Sequence, residues 1–184
     1  TIIKIESNGT GFYLNEGHWQ GELKVLFEGH YFHRFTNGKY DKTRPDLSYK
    51  KWTKKYYRKG QEEFTRFMEA VALDKKAALL STSFGLFQIM GANYEDCGYS
   101  SVFEMVDSFY KGGDSEQVLA FLNYCKNRQG VKLVNKKPVR TGKSLYQHLE
   151  DLEWDEFAGG YNGTGQIEKY STLLNKTYNL CQNY

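Results

Sequence analysis

The chain has 184 residues, 40% of them hydrophobic and 26% charged, with a formal net charge of +3. Those values fit one soluble domain with a sizeable core and exclude a disordered or low-complexity chain. So small a net charge gives no footprint for nucleic acid, no apolar run approaches the roughly 20 residues of a membrane span, and three cysteines without a Cys-x-x-Cys spacing argue against a disulfide scaffold.

In chain order, Ile2, Ile3 and Ile5 make one apolar helical turn leading to Glu6, with Ser7-Asn8-Gly9 as the exit. Residues 21–35 hold Val25, Phe27, Tyr31 and Phe32 around Gly29 and predict a short hairpin or bent strand. In an extended segment Glu28 and His30 share one face, opposite Phe27 and Tyr31. His30 and His33 would then face opposite sides with no third ligand at suitable spacing, so no metal or other cofactor is expected. Residues 50–59 interleave Lys50, Lys51, Lys54, Lys55, Arg58 and Lys59 with Trp52, Tyr56 and Tyr57. Such a run is ordinarily a solvated helix face, with docking of an anionic polymer as the alternative.

Residues 61–80 place Phe64, Phe67, Met68 and Val71 at helical spacing, leaving Glu62, Glu63, Glu69 and Lys75 to solvent. Ser101-x-x-Glu104 opens a second helix that Gly112 can stop, and Asp114-x-x-Gln117 opens a third, with Val118, Phe121, Leu122 and Cys125 on one face. Residues 131–143 predict a Lys-rich surface excursion, 144–152 a short helix, and Ile167, Tyr170, Leu174 and Cys181 a long C-terminal one. With no repeat or Pro-rich linker, residues 1–184 are expected to form a single, monomeric domain, predominantly helical with one small antiparallel piece.

Four short segments occur in a telling order: Ile5-Glu6-Ser7-Asn8-Gly9, Leu26-Phe27-Glu28-Gly29-His30-Tyr31-Phe32, Ser81-Thr82-Ser83-Phe84-Gly85-Leu86-Phe87-Gln88-Ile89-Met90-Gly91 and Tyr161-Asn162-Gly163-Thr164-Gly165. From Ile5 to about Tyr178 the chain resembles the N-acetylmuramidase domain of phage endolysins and related bacterial cell-wall hydrolases, in the lysozyme-like superfamily. The resemblance implies an α+β lysozyme-like fold with a small β-hairpin. It also implies that the chain starts inside its first helix, because that fold presents its acid from the end of a longer one. Phe84 stands where tryptophan is common in the family and Thr164 where proline often follows Tyr-Asn-Gly, which bears on subsite detail.

The implied substrate is the glycan strand of peptidoglycan, cut at the β-1,4 bond between N-acetylmuramic acid and N-acetylglucosamine. That chemistry needs a carboxylic acid kept protonated to meet the leaving oxygen, and apolar surroundings raise a carboxyl pKa. The resemblance places that acid at Glu6. Glu28 is the leading second carboxylate, ahead of Glu16, Glu22 and Asp41, which stand among Gly and Asn residues. Ser83, Gln88, Tyr161, Asn162 and His30 are the candidate substrate contacts, and Gly85 a point of close backbone approach to substrate. A lytic transglycosylase, chitin as substrate, and a non-catalytic wall-binding module are the alternatives. Neither nucleic acid nor membrane insertion is expected. Synthesis in the cytoplasm, action at the bacterial wall and export by something outside this chain complete the expectation.

Overall fold

The computed structural model describes residues 1–15 and 17–182. Helix α1 (Ile2–Ser7) ends where Asn8 takes a left-handed conformation (φ 55°), and Gly9 N–H returns to the Ile3 carbonyl. Ile2, Ile3 and Ile5 pack against the core, which leaves Glu6 off that face. Strand β1 (Val25–Phe27) pairs antiparallel with β2 (Thr82–Phe84), and β2 with β3 (Ile89–Met90), so the Ser-Phe-Gly-Leu-Phe-Gln-Ile-Met segment is a hairpin closed by a 3-10 turn at Gly85–Phe87.

The extended stretch expected over 21–35 stops at Phe27, and Gly29–Phe35 form helix α2. A side chain on Gly29 would lie 2.3 Å from the Tyr49 ring and 2.7 Å from the Leu47 carbonyl, so this glycine admits a neighbour and does not bend a strand. Turning helical buries Phe32 completely against Phe27 and Tyr40, and that packing overrides the β propensity of the segment.

Helices α3 (Gln61–Leu73) and α4 (Lys75–Leu80) replace the one helix expected over 61–80, because Asp74 is extended and caps α4 by accepting from Ala77 N–H. Phe64 and Phe67 are buried as expected, whereas Met68 is exposed and Glu63 and Arg66 are buried in its place. Helix α5 (Val102–Asn127) carries a break at Gly113 (φ 58°, ψ −143°), which divides it into the two anticipated arms. Ser101 caps it as expected, but Gln117 points inward. Its Oε1 accepts from Leu86 N–H at 2.6 Å and so fixes the 3-10 turn.

The excursion at 131–143 is an antiparallel hairpin of β4 (Gln129–Val134) and β5 (Lys137–Ser144), turning at Asn135 and Lys136, both with positive φ. Helix α6 (Leu145–Glu150) starts with a capping box from Ser144 and Gln147. Helix α7 (Trp154–Tyr161), absent from the sequence reading, leads to α8 (Ile167–Cys181). A Cβ on Gly159 would lie 1.9 Å from the Val131 carbonyl oxygen, so α7 presses directly on β4. Gly159→Ala is expected to destabilise by about 1–3 kcal/mol through overpacking. Thermal unfolding measures this, and faster amide exchange confined to 129–144 locates it.

Fully buried Phe27, Phe32, Phe84, Phe109 and Phe157 join Leu23, Leu47, Met105, Leu145 and Leu174 in the core. Helices account for 53% of the structure beside the small antiparallel sheet, an α+β, mainly helical architecture. Cys97 and Cys125 are buried, Cys181 is exposed, and all three are free. Among the described residues no helix is long and apolar enough to cross a membrane.

Candidate active site

The last turn of α1, the end of β1, the β2–β3 hairpin and the end of α7 converge on a cleft of about 750 Å³. Glu6, Glu28, His30, Ser83, Gln88, Tyr161 and Asn162 all line it, so every expected site residue reaches the same space. Glu22 and Asp41 do not. The Tyr110 hydroxyl donates to Glu22, while Ser48 and His33 engage Asp41. Glu16 lies outside the described residues.

Glu6 is held from two sides. The Lys24 ammonium, its pKa lowered by burial, donates to the Ser7 carbonyl at 2.7 Å and secures the end of α1. The Tyr170 hydroxyl, from α8, donates to Glu6 Oε1. Burial raises the Glu6 carboxyl above its ordinary value of 4.5, and the Tyr170 hydrogen bond pulls back less strongly. Sequence reasoning placed Tyr170 in the C-terminal helix and assigned it no role in the site.

Tyr161 stands in the cleft wall beside the acid. Its hydroxyl donates to the Phe87 carbonyl, and its ring stacks on Phe157 and, at 6.4 Å between centroids, on Tyr170. It therefore braces the wall behind the acid. Asn162 caps the end of α7. Gln88 sits in a left-handed turn (φ 50°) with Nε2 donating to the Gly85 carbonyl at 2.9 Å, so its amide is partly spent on holding the hairpin. Gly85 (φ +71°) makes room for Gln117, since a Cβ there would lie 2.0 Å from Gln117 Oε1.

Glu28 is the residue before α2, so the strand periodicity that paired it with His30 does not apply. The two are brought together by the first turn of a helix. His30 Nδ1 lies 3.2 Å from Glu28 Oε2, but without the alignment of a hydrogen bond. Burial, then the nearby Arg34 charge, lowers the His30 pKa. Tyr57 donates to Glu28 Oε2 at 2.5 Å. Burial raises the Glu28 carboxyl, and the Tyr57 hydrogen bond and the Arg66 charge oppose it.

Behind Glu28 lies a buried ion pair. Arg66 and Glu63 are 1% and 3% exposed and 2.6 Å apart, although Glu63 was expected in solvent. Arg66 donates to the Phe27 carbonyl at 2.8 Å, and Glu63 accepts from Phe27 N–H at 3.2 Å, so the pair grips both backbone polar groups of Phe27, the residue before Glu28. Glu63 also accepts from Arg58 N–H, and Arg66 donates to the Tyr49 hydroxyl, which secures the 49–58 segment over the cleft. That segment is irregular and not the expected helix face. A second hollow, lined by Lys132, Asp155, Glu156 and Glu168, adjoins the cleft through Thr164 and Gln166. Asp155 and Glu156 occupy the first turn of α7, where carboxylates complement the helix dipole. Among the described residues no group of three His, Cys, Asp or Glu side chains could hold a metal ion.

The family model for N-acetylmuramidase, Muramidase, matches residues 1–182. The chain belongs to the N-acetylmuramidase family. The crystal structure of the Burkholderia AP3 phage endolysin is similar to it, with a TM-score of 0.75 and 27% sequence identity over 99% of this chain. The present N-acetylmuramidase chain spans 62% of the length of that endolysin. No curated protein matches it.

Proposed function

We propose that this chain hydrolyses the β-1,4 bond between N-acetylmuramic acid and N-acetylglucosamine in peptidoglycan, with Glu6 as general acid and Glu28 as the ionised partner. The observation that carries the assignment is the asymmetry between two half-buried carboxyls in one cleft. Burial leaves both carboxyls raised, but Glu28 has the Arg66 cation behind it as well as the Tyr57 hydroxyl, whereas burial of Glu6 is opposed by the Tyr170 hydroxyl alone. Pairs whose surroundings separate their protonation states divide into acid and base. Glu6 delivers a proton to the leaving oxygen. Glu28 faces the positive charge that develops on the sugar and takes the proton of the attacking water.

Ser83, Gln88, Asn162 and His30 supply polar contacts to the acetamido and hydroxyl groups of the strand, and Tyr161 fixes the wall behind the acid. Residues 1–184 act as one monomeric catalytic domain on the glycan strands of the bacterial wall, without a cofactor.

Mass spectrometry of purified peptidoglycan after incubation with the protein tests the reaction. Reducing N-acetylmuramic acid ends are expected. Anhydro-muramic ends would replace hydrolysis by lytic transglycosylation, new reducing N-acetylglucosamine ends would overturn the bond assignment, and an undigested wall that retains the protein would indicate a binding module.

A further inference from the structure

We propose that Trp52 is a saccharide-stacking platform of the cleft, wired to Glu28 through Tyr57; this rests on the reading of the cleft as a glycan site. Trp52 lines the same cleft as both carboxylates and is 54% exposed. The other two tryptophans are less exposed and engaged elsewhere. Trp19 donates through Nε1 to Thr65 and packs on Phe64, and Trp154 packs on Tyr178. An exposed indole is ordinarily free to move, yet this one is fixed. Its Nε1–H donates to the Tyr57 hydroxyl at 3.1 Å, and the Lys54 ammonium lies 5.8 Å from its ring centroid. The segment that carries it is held at Tyr49 and Arg58 by the Glu63–Arg66 pair.

A rigid, partly wet aromatic surface beside polar groups suits the apolar face of a pyranose ring, whose C–H groups meet the negative face of the indole while its hydroxyls turn to the polar wall. The hydrogen bonds run in one direction, from Trp52 Nε1 to Tyr57 Oη to Glu28 Oε2. A donor to the Tyr57 oxygen makes its own O–H a stronger donor to Glu28, and donation to a carboxylate favours the ionised form. The residue that receives the sugar therefore also helps keep Glu28 charged.

Calorimetric titration with a tetrasaccharide of alternating N-acetylglucosamine and N-acetylmuramic acid tests the platform, in the Glu6→Gln background so that turnover does not intrude. Trp52→Ala is expected to weaken binding about tenfold or more. Trp52→Phe, which keeps a ring but lacks Nε1–H, is expected to bind within about threefold of its parent. In the otherwise wild-type enzyme, Trp52→Phe is expected to move the acid limb of the pH–rate profile upward. Affinity unchanged in Trp52→Ala, with thermal unfolding matching its parent, would overturn the platform even if the wild type cleaves peptidoglycan. Binding lost with Trp52 in a protein that releases no reducing ends would uphold the platform and overturn the hydrolase reading. An unmoved acid limb in Trp52→Phe would overturn the link to Glu28.

Discussion

Glu6→Gln is expected to lower kcat on peptidoglycan by about 10²–10⁴-fold, the usual contribution of a positioned general acid, with little change in KM. Glutamine keeps the shape of the side chain and can still meet Tyr170, but it has no proton to give to a leaving oxygen. The same substitution carries a signature in stability. Burial raises the Glu6 carboxyl above 4.5, so the folded state prefers the neutral form. Its contribution is fully present below about pH 4.5 and is lost as pH rises through the higher folded value. The Gln variant is uncharged throughout and should unfold at a higher temperature than wild type near neutral pH, with the gap closing below about pH 4.5. Paired thermal scans across that range check the sign; a variant less stable than wild type at neutral pH would contradict the burial argument.

Arg66→Leu is expected to cost about 3–5 kcal/mol, because it strands the buried Glu63 charge and removes donors from the Phe27 carbonyl and the Tyr49 hydroxyl. For a chain of this size that lowers Tm by roughly 6–20 °C. The double variant Glu63→Leu/Arg66→Leu should recover part of the loss, since a matched apolar pair leaves no unpaired charge. Activity changes in a second way that lost stability alone does not produce. Without the Arg66 cation, the Glu28 carboxyl rises further, and the acid limb of the pH–rate profile moves to higher pH. Urea unfolding together with kcat/KM against pH measures both effects. An unchanged profile in a folded variant would remove Arg66 from the account of Glu28.

The sequence made Glu6 legible because an apolar turn, a helix exit and the motif order all point to it. Glu28 was reached by a wrong route, since periodicity within a supposed strand selected a residue that the start of α2 and the Arg66–Glu63 pair actually position. That pair stands at i, i+3 on a helix whose Phe64 and Phe67 already explain one face, so nothing local marks the two charges as buried. Tyr170 meets Glu6 across 164 residues, a contact that no window of sequence contains. Strands β4 and β5 escaped because most of their residues are exposed, which removes the alternation that marks a half-buried strand. Helix α7 escaped because Gly159 and Gly160 argue against a helix, whereas close approach of the Val131 and Gln129 carbonyls requires them there. The run at 50–59 registered as charge, and the contacts of its aromatics Trp52 and Tyr57 emerge only when the chain folds over Glu28.

The most direct measurement of the central claim is a crystal structure of the Glu6→Gln variant with a tetrasaccharide of alternating N-acetylglucosamine and N-acetylmuramic acid bound. The glycosidic oxygen on the reducing side of N-acetylmuramic acid is expected within about 2.6–3.2 Å of the residue 6 side chain, with Glu28 beside the same sugar. A saccharide bound away from residue 6, or with no glycosidic oxygen in its reach, would contradict that claim.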